Sequence, residues 1–301
     1  MASNSRPAPA PSVLALFGPT ASGKTAVAGI LHERLGADVI SADSAALYEG
    51  LPIITAAPAY PAKLVGVVPL SEDVSVGGYQ RLAHDAIDAA ELPLVVGGTG
   101  LYFRAALSEM RIPPPGRREH WQTEVDRLGP EEAHALLAAR DPAAAARVHR
   151  NDRRRVVRAL ELAEAGHSLA PADDRLWTED TRRPTTIVAL DLPLEELDRR
   201  IAARAQRMAQ EGAVDEARRA WTTALSATAR KVLGLEEFAT LDVEAAIEAV
   251  TTATRRLARY QRKWLRRMPG VVTLDANRPP EEIAAEIVAL GRAGERLSGH
   301  D

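Results

Sequence analysis

The 301 residues are 46% hydrophobic and carry a formal net charge of −3. That is length enough for one large domain or a domain with an insertion, and it excludes a protein that coats nucleic acid by bulk charge. The absence of cysteine excludes a disulfide framework, a cysteine nucleophile and a thiolate zinc site, and agrees with a reducing compartment. No signal pattern opens the chain and no apolar run nears the ~20 residues that span a bilayer, so a soluble, cytoplasmic protein with no membrane partner is expected.

Residues 1–12 are expected to form a disordered tail. Val13 to Phe17 is a strand-forming apolar run that ends in a glycine turn, and Thr25 to Leu35 then repeats apolar residues at helical spacing. Asp38 to Ser41 and Leu94 to Val96 are short apolar runs closed by polar or glycine residues, as buried parallel strands are, with Tyr79 to Ala90 as the crossover helix. After Leu107 and the Pro113 to Pro115 linker the texture becomes helical through Glu131 to Arg140 and Asp152 to Glu164. Strand character returns at Thr185 to Leu192, and Leu194 to Ala220, Ala227 to Thr240 and Val243 to Arg267 read as helices. The fold class expected is α/β: a P-loop core with a parallel sheet flanked by helices, over residues 13–111 and 183–301, carrying an all-helical insertion domain over 112–182.

Gly18, Pro19, Thr20, Ala21, Ser22, Gly23, Lys24 and Thr25 match GxxxxGK[ST] between that first strand and helix, which is the context a phosphate loop requires. Curled backbone N–H groups and a helix N-terminus attract anionic oxygens, Lys24 reaches a terminal phosphate, and the Thr25 hydroxyl suits a Mg2+ ion. The motif does not say which phosphate ester is held. An ordinary nucleoside triphosphatase would place an acidic residue after a second strand, whereas Leu94-Val95-Val96 runs into Gly97-Gly98-Thr99-Gly100. The seven histidines show no ligand spacing, so any magnesium is expected to arrive with a diphosphate.

Asp43 follows the Asp38 to Ser41 strand, at the edge where ligands of open parallel sheets bind. Residue type leaves it open between a general base and a helix cap or outer magnesium ligand. The second glycine turn reads either as a close approach to a ligand, with the Thr99 hydroxyl presented beside it, or as a tight strand-to-helix turn. Near the C-terminus Arg255, Arg259, Arg262 and Arg266 fall on one helical face opposite Leu257, Tyr260, Trp264 and Met268. This predicts a helix packed through the latter with an outward basic stripe, either for RNA phosphates or simply solvated.

GPTASGKT, ISADSAALY, VGGTGLYFRA, VHRNDRRRVVRALEL, the Arg204 to Glu216 stretch and ARYQRKWLRR occur in the order and rough spacing found in bacterial tRNA dimethylallyltransferases, and the chain resembles that family over about Leu14 to Met268. The resemblance implies that the phosphate loop holds dimethylallyl diphosphate and that Asp43 takes the proton from an adenine amine beside the anticodon. It further implies that Thr99 contacts the reacting adenosine and that Arg204 joins Lys24 on the departing pyrophosphate. The partner implied is the anticodon stem-loop of tRNA, against Asp43, Ser44, Ala45, Ala46 and Thr99 and, on the insertion, Arg154, Arg155, Val156, Val157 and Arg158. A monomer is expected. The target adenine should be flipped out, with Tyr48, Tyr102 and Trp121 as stacking candidates against a packing role for each. The sequence departs from the family pattern at Ala46, Ile54, Ala57, Tyr260 and Lys263 and shortens a histidine-bearing segment before Val65 to Leu70. These departures bear on how anticodon-loop bases are held. Prenylation of free adenine nucleotides, a small-molecule kinase and a noncatalytic RNA-binding protein are the alternatives.

Overall fold

The computed structural model describes residues 12–110, 112–113, 116–170 and 176–298. In chain order the elements are β1 (Val13–Phe17), α1 (Lys24–Leu35), β2 (Asp38–Ser41), α2 (Pro52–Thr55), α3 (Val76–Asp88), β3 (Pro93–Gly97), α4 (Gly100–Leu107), α5 (Arg118–Arg140), α6 (Pro142–Arg147), α7 (Arg153–Glu164), β4 (Thr185–Asp191), α8 (Leu194–Gln210), α9 (Ala213–Trp221), α10 (Leu235–Thr240), α11 (Val243–Leu265), β5 (Val271–Asp275) and α12 (Pro280–Ser298), with a 3-10 turn at Ala229–Lys231. The chain forms two units, residues 1–109 with 177–301, and residues 110–176. The second therefore ends earlier than the expected 182: Trp177 stacks on Trp264 of the first, with ring centroids 4.8 Å apart. The tail reading for residues 1–12 falls, apart from Ser12, outside the described residues.

The larger unit is built on a five-stranded sheet of order β2-β3-β1-β4-β5, parallel throughout. β1 is buried at every position, as a central strand covered on both faces must be. Its alternate residues serve the two faces: Leu14 and Leu16 pack with Ala28 and Leu31 of α1 and Ile283 and Ile287 of α12, while Phe17 meets Phe103 of α4 edge-on at 5.1 Å. Registers such as Leu16 opposite Val96 and Val188 bring the carboxyl ends of β1, β3 and β4 level.

A second apolar cluster joins α8, α9, α10 and α11 to Ile54 of α2 and to Tyr48. Gly212 (φ 105°) and Gly234 (φ 96°) break what the sequence reads as continuous helices over 194–220 and 227–240. The buried Glu216 carboxylate of α9 accepts the N–H groups of Ile53 (3.0 Å) and Ile54 (2.8 Å), satisfying the otherwise unpaired first turn of α2. β5 and α12, which the sequence reading leaves unassigned, complete the sheet edge and cover it. β5 escapes recognition because three of its five residues, Val272, Thr273 and Asp275, are exposed on an edge strand with no buried run.

The smaller unit packs α5, α6 and α7 around Trp121, Leu137, Val156 and Leu160. α5 is two helices joined at Gly129 (φ 78°) and Pro130, where the ring forbids continuation. The Trp121 indole donates to Glu164 at 2.8 Å, so this stacking candidate is a core residue. Tyr48 and Tyr102 are likewise buried, Tyr48 bonded to Thr228 and Tyr102 lying 4.6 Å from Tyr79.

The Glu216 contact carries a measurable share of stability. Glu216→Ala leaves two backbone donors of α2 without partners and is expected to lower the unfolding free energy by about 2–4 kcal/mol. Urea titration of the variant against wild type checks this, and an unchanged midpoint would remove Glu216 as the anchor of α2.

Candidate active site

The Gly18–Thr25 loop leaves the end of β1 and enters α1 through Gly23 at φ 93°, with Ala21 also left-handed at φ 63°. Gly18 admits no side chain, since a Cβ there would stand 2.8 Å from the Leu190 carbonyl oxygen. The Ser22 hydroxyl is buried and finds no hydrogen-bond partner among the described residues. Lys24 Nζ donates to the Pro19 carbonyl at 2.7 Å, so it lies folded over the loop. Burial lowers the Lys24 pKa to about 8, Arg204 pushes it the same way, and Asp43 opposes both.

Asp43 and Thr99 come from the ends of β2 and β3. Asp43 Oδ1 accepts the Ala45 N–H at 3.0 Å in an Asx turn, so it caps no helix: α2 begins only at Pro52. The Thr99 hydroxyl makes no cap bond within α4 and instead accepts the Ser44 N–H at 3.5 Å, bringing the two turns side by side. The glycines of the second turn answer to packing. A Cβ at Gly97 would meet the Ala42 carbonyl oxygen at 2.3 Å, at Gly98 the Gln261 amide nitrogen at 2.6 Å, and at Gly100 the Trp264 ring at 2.2 Å. The absence of side chains at Gly98 and Gly100 lets this turn pack closely against α11.

Arg204 of α8 donates from Nη1 to the Thr20 hydroxyl at 3.2 Å. From the other side Gln261 of α11, 4% exposed, accepts the Thr20 N–H on Oε1 at 2.7 Å. Thr20, Asp43, Arg204 and Gln261 line a cavity together with Thr55, Thr254 and apolar residues, among them Ala205 and Met208 on α8 and Val250 and Leu257 on α11. The half-buried Arg204 and the Asp43 carboxylate on the wall of a largely apolar pocket, with the half-buried Lys24 and the curled loop backbone beside it, can hold an anionic head with a greasy tail and accept a proton.

The model of the IPP transferase family matches residues 46–268. A tRNA dimethylallyltransferase of Anaeromyxobacter dehalogenans is 40% identical over 91% of this chain and 95% of its own. This chain belongs to the IPP transferase family. Among solved structures, the tRNA isopentenylpyrophosphate transferase of Bacillus halodurans superposes with a TM-score of 0.68 at 28% identity, over 96% of this chain and 99% of that one. A eukaryotic dimethylallyltransferase, solved acting on tRNA, shares the fold at a TM-score of 0.75 and 24% identity, covering 96% of this chain and 80% of its own.

In this IPP transferase the expected basic stripe is corrected. α11 buries Thr251, Thr254, Ala258, Gln261 and Leu265, while Leu257 and Tyr260 are exposed, at 38% and 57%. Arg255 and Arg259 pair with Asp198 of α8, and Arg262 with Asp191 at the end of β4. Helix-face counting missed this because it sees no partner on another helix. Of the expected stripe Arg266 is exposed as anticipated, and Arg256 and Lys263 also face outward, on one face with Tyr260, continued by Arg267, whose guanidinium lies 3.9 Å over the Trp177 ring. Gln261 lies within the ARYQRKWLRR block, and an amide at a core position of an amphipathic helix is a signal in its own right.

In the smaller unit Arg154 and Arg155 are exposed at the start of α7, which Asp152 caps through the Arg155 N–H at 3.1 Å. Arg153 is bound to Asp126 and Arg158 to Glu161. Val156 and Val157 are each 1% exposed, so their side chains form the unit's core and face no ligand.

Because burial lowers the Lys24 pKa to about 8, inorganic pyrophosphate should bind less tightly as pH rises through that value and the ammonium is lost. Lys24→Arg should flatten this dependence, since guanidinium stays charged. Calorimetric titration between pH 7 and 9 measures it; parallel slopes for both proteins would exclude Lys24 as the titrating group.

Proposed function

We propose that this IPP transferase moves the dimethylallyl group of dimethylallyl diphosphate onto the exocyclic N6 amine of the adenosine 3′-adjacent to the anticodon in tRNA. The observation that carries the reading is the cavity, which Arg204, the Asp43 carboxylate and Thr20 of the phosphate loop line together with a largely apolar set of side chains. The N6 lone pair attacks C1 of the donor, the C1–O bond breaks with its electrons leaving on pyrophosphate, and the N6 proton passes to Asp43. Lys24 and Arg204 face the growing charge on the leaving group, and guanidinium suits its paired oxygens. Asp43 Oδ1 is taken up by the Ala45 N–H while Oδ2 takes no hydrogen bond from the described residues, which supports Oδ2 as the proton acceptor in this reading. Thr99, held against Ser44, orients the adenosine.

Magnesium fits as an ion carried by the donor. The exposed Thr25 hydroxyl stands at the start of α1, and the described residues contain no group of three His, Asp or Glu that would cage a metal on their own. Bound there, Mg2+ would add positive charge beside the diphosphate.

The working form is taken to be a soluble, cytoplasmic monomer; among the described residues no helix is long and apolar enough to cross a membrane. tRNA is held through Arg154 and Arg155 of the smaller unit and through Arg256, Tyr260, Lys263 and Arg267, where cations contact phosphates and aromatic rings stack on unpaired bases.

Incubation with labelled dimethylallyl diphosphate, Mg2+ and either an anticodon stem-loop or AMP tests the activity, with label expected only in the stem-loop. Asp43→Asn is expected to lower transfer by about 10²–10⁴-fold with stem-loop affinity unchanged; full activity in that variant would rule out the base assignment. Lys263→Ala and Arg267→Ala should each weaken stem-loop binding and reduce the salt slope by about one, whereas Arg259→Ala, its charge already spent on Asp198, should change it less. Equal effects for all three would return the contact to the Arg259 face.

A further inference from the structure

The Gln261 side chain has two ends, and contacts within the chain use one of them. Oε1 accepts the Thr20 N–H at 2.7 Å. A backbone N–H can only donate, so this bond settles which way the amide is turned: the carbonyl faces Thr20 and the NH2 group faces away from it. Nε2 stands 2.6 Å from the point that a Cβ of Gly98 would occupy, and the Gly18 carbonyl oxygen lies 2.8 Å from the same point. The nitrogen is thus placed between the first residue of the phosphate loop and the second glycine turn. It donates to no described residue. Yet Gln261 is only 4% exposed, and it lies on the wall of the cavity that Thr20, Asp43 and Arg204 also line.

Holding Thr20 requires an acceptor and nothing more. A buried N–H donor without a partner opposes folding, and a ligand oxygen that meets it returns what was lost. Position says which oxygen. Gly18 opens the loop that faces the diphosphate, and Gly98 precedes Thr99, which orients the adenosine, so Nε2 lies where the two substrates meet.

We propose that Gln261 is a further catalytic residue, whose Nε2–H donates a hydrogen bond to the diphosphate oxygen that leaves C1. On the prenyl-transfer reading above, on which this rests, the C1–O bond breaks with its electron pair staying on that oxygen while the N6 proton passes to Asp43. Gln261 transfers no proton; its hydrogen bond strengthens as charge arrives on the acceptor. Lys24 and Arg204 answer the charge of the whole leaving group. A neutral amide held by Thr20 is directional and singles out one oxygen. Loss of one such pre-aimed donor lowers kcat by about 10²–10³-fold.

Gln261→Glu separates the two ends of the side chain. A carboxyl group accepts the Thr20 N–H in either protonation state, but only its protonated form has a hydrogen to donate. At saturating substrates, the ratio of variant to wild-type kcat should be highest at the acid end. It should fall by about 10²-fold as pH rises from about 5 to 8, where a buried carboxyl loses its proton. Asp43, Lys24 and Arg204 are common to both proteins, so the ratio removes their own titration. A residue that only shapes the loop would keep the ratio near one at every pH, which overturns the proposal. A second measurement needs no variant, and it decides if Gln261→Glu does not fold or is inactive throughout. The side-chain amide resonance of Gln261 in 15N-labelled wild type, identified by its cross-peak to the Thr20 N–H, should move when inorganic pyrophosphate and Mg2+ are added and stay in place with AMP. No movement with pyrophosphate, or movement with AMP alone, overturns the assignment. Wild type that transfers no label to the stem-loop overturns the prenyl-transfer reading itself, a result distinct from an active enzyme whose Gln261 ignores pyrophosphate.

Discussion

The hydrogen bond from the Thr20 N–H to the buried Gln261 amide fixes the position of everything else in the site. A loop of curled backbone has no side-chain packing of its own, so its shape must be imposed from outside. α11 imposes it twice, through Gln261 on the first glycine turn and through Trp264 lying where a Cβ of Gly100 would be on the second. The glycines of both turns are thus conditions for close approach between a helix and two loops. Arg204 adds the third side by bonding the Thr20 hydroxyl from α8. Two helices thus meet at one residue just past the end of β1, and the cavity is lined by both of them.

Burial gives this arrangement its electrostatic character. Loss of water destabilises both Lys24 and Arg204 as cations, Arg204 adds to this at Lys24 and Arg207 at Arg204, and the Asp43 carboxylate offsets part of that cost at both. A polyanion entering the site relieves the strain between the two cations, so binding energy is available from charges already in place. The outer arginines of α11 differ in kind. Arg255, Arg259 and Arg262 are neutralised by Asp198 and Asp191 and chiefly fasten helix to helix and helix to sheet.

The central strands, the glycine loop and Asp43 were legible because each is written locally: a five-residue apolar run, a fixed glycine spacing, a carboxylate two residues past a strand. Family resemblance supplied Arg204 and Thr99. What sequence reading missed depends on partners distant in the chain. Whether Arg259 is free or paired is decided by Asp198, sixty-one positions away, and Val156 and Val157 face inward because α5 lies over them. Helix breaks at Gly212 and Gly234 were hidden by helical composition on either side, and β5 by its exposure at the sheet edge. Gln261 was visible as a polar residue at a core position, but only the fold tells what it holds.

The same long-range dependence sets when the site comes into existence. Thr20 and Gln261 are 241 residues apart, and β4 joins β1 only after the whole of the smaller unit has been made. On a ribosome the glycine loop emerges first and waits, its shape unspecified, until α11 clears the exit tunnel and closes the contact. Nascent chains and C-terminal truncations ending before residue 261 therefore carry every motif of the first strand and helix while lacking the contact that α11 makes with them.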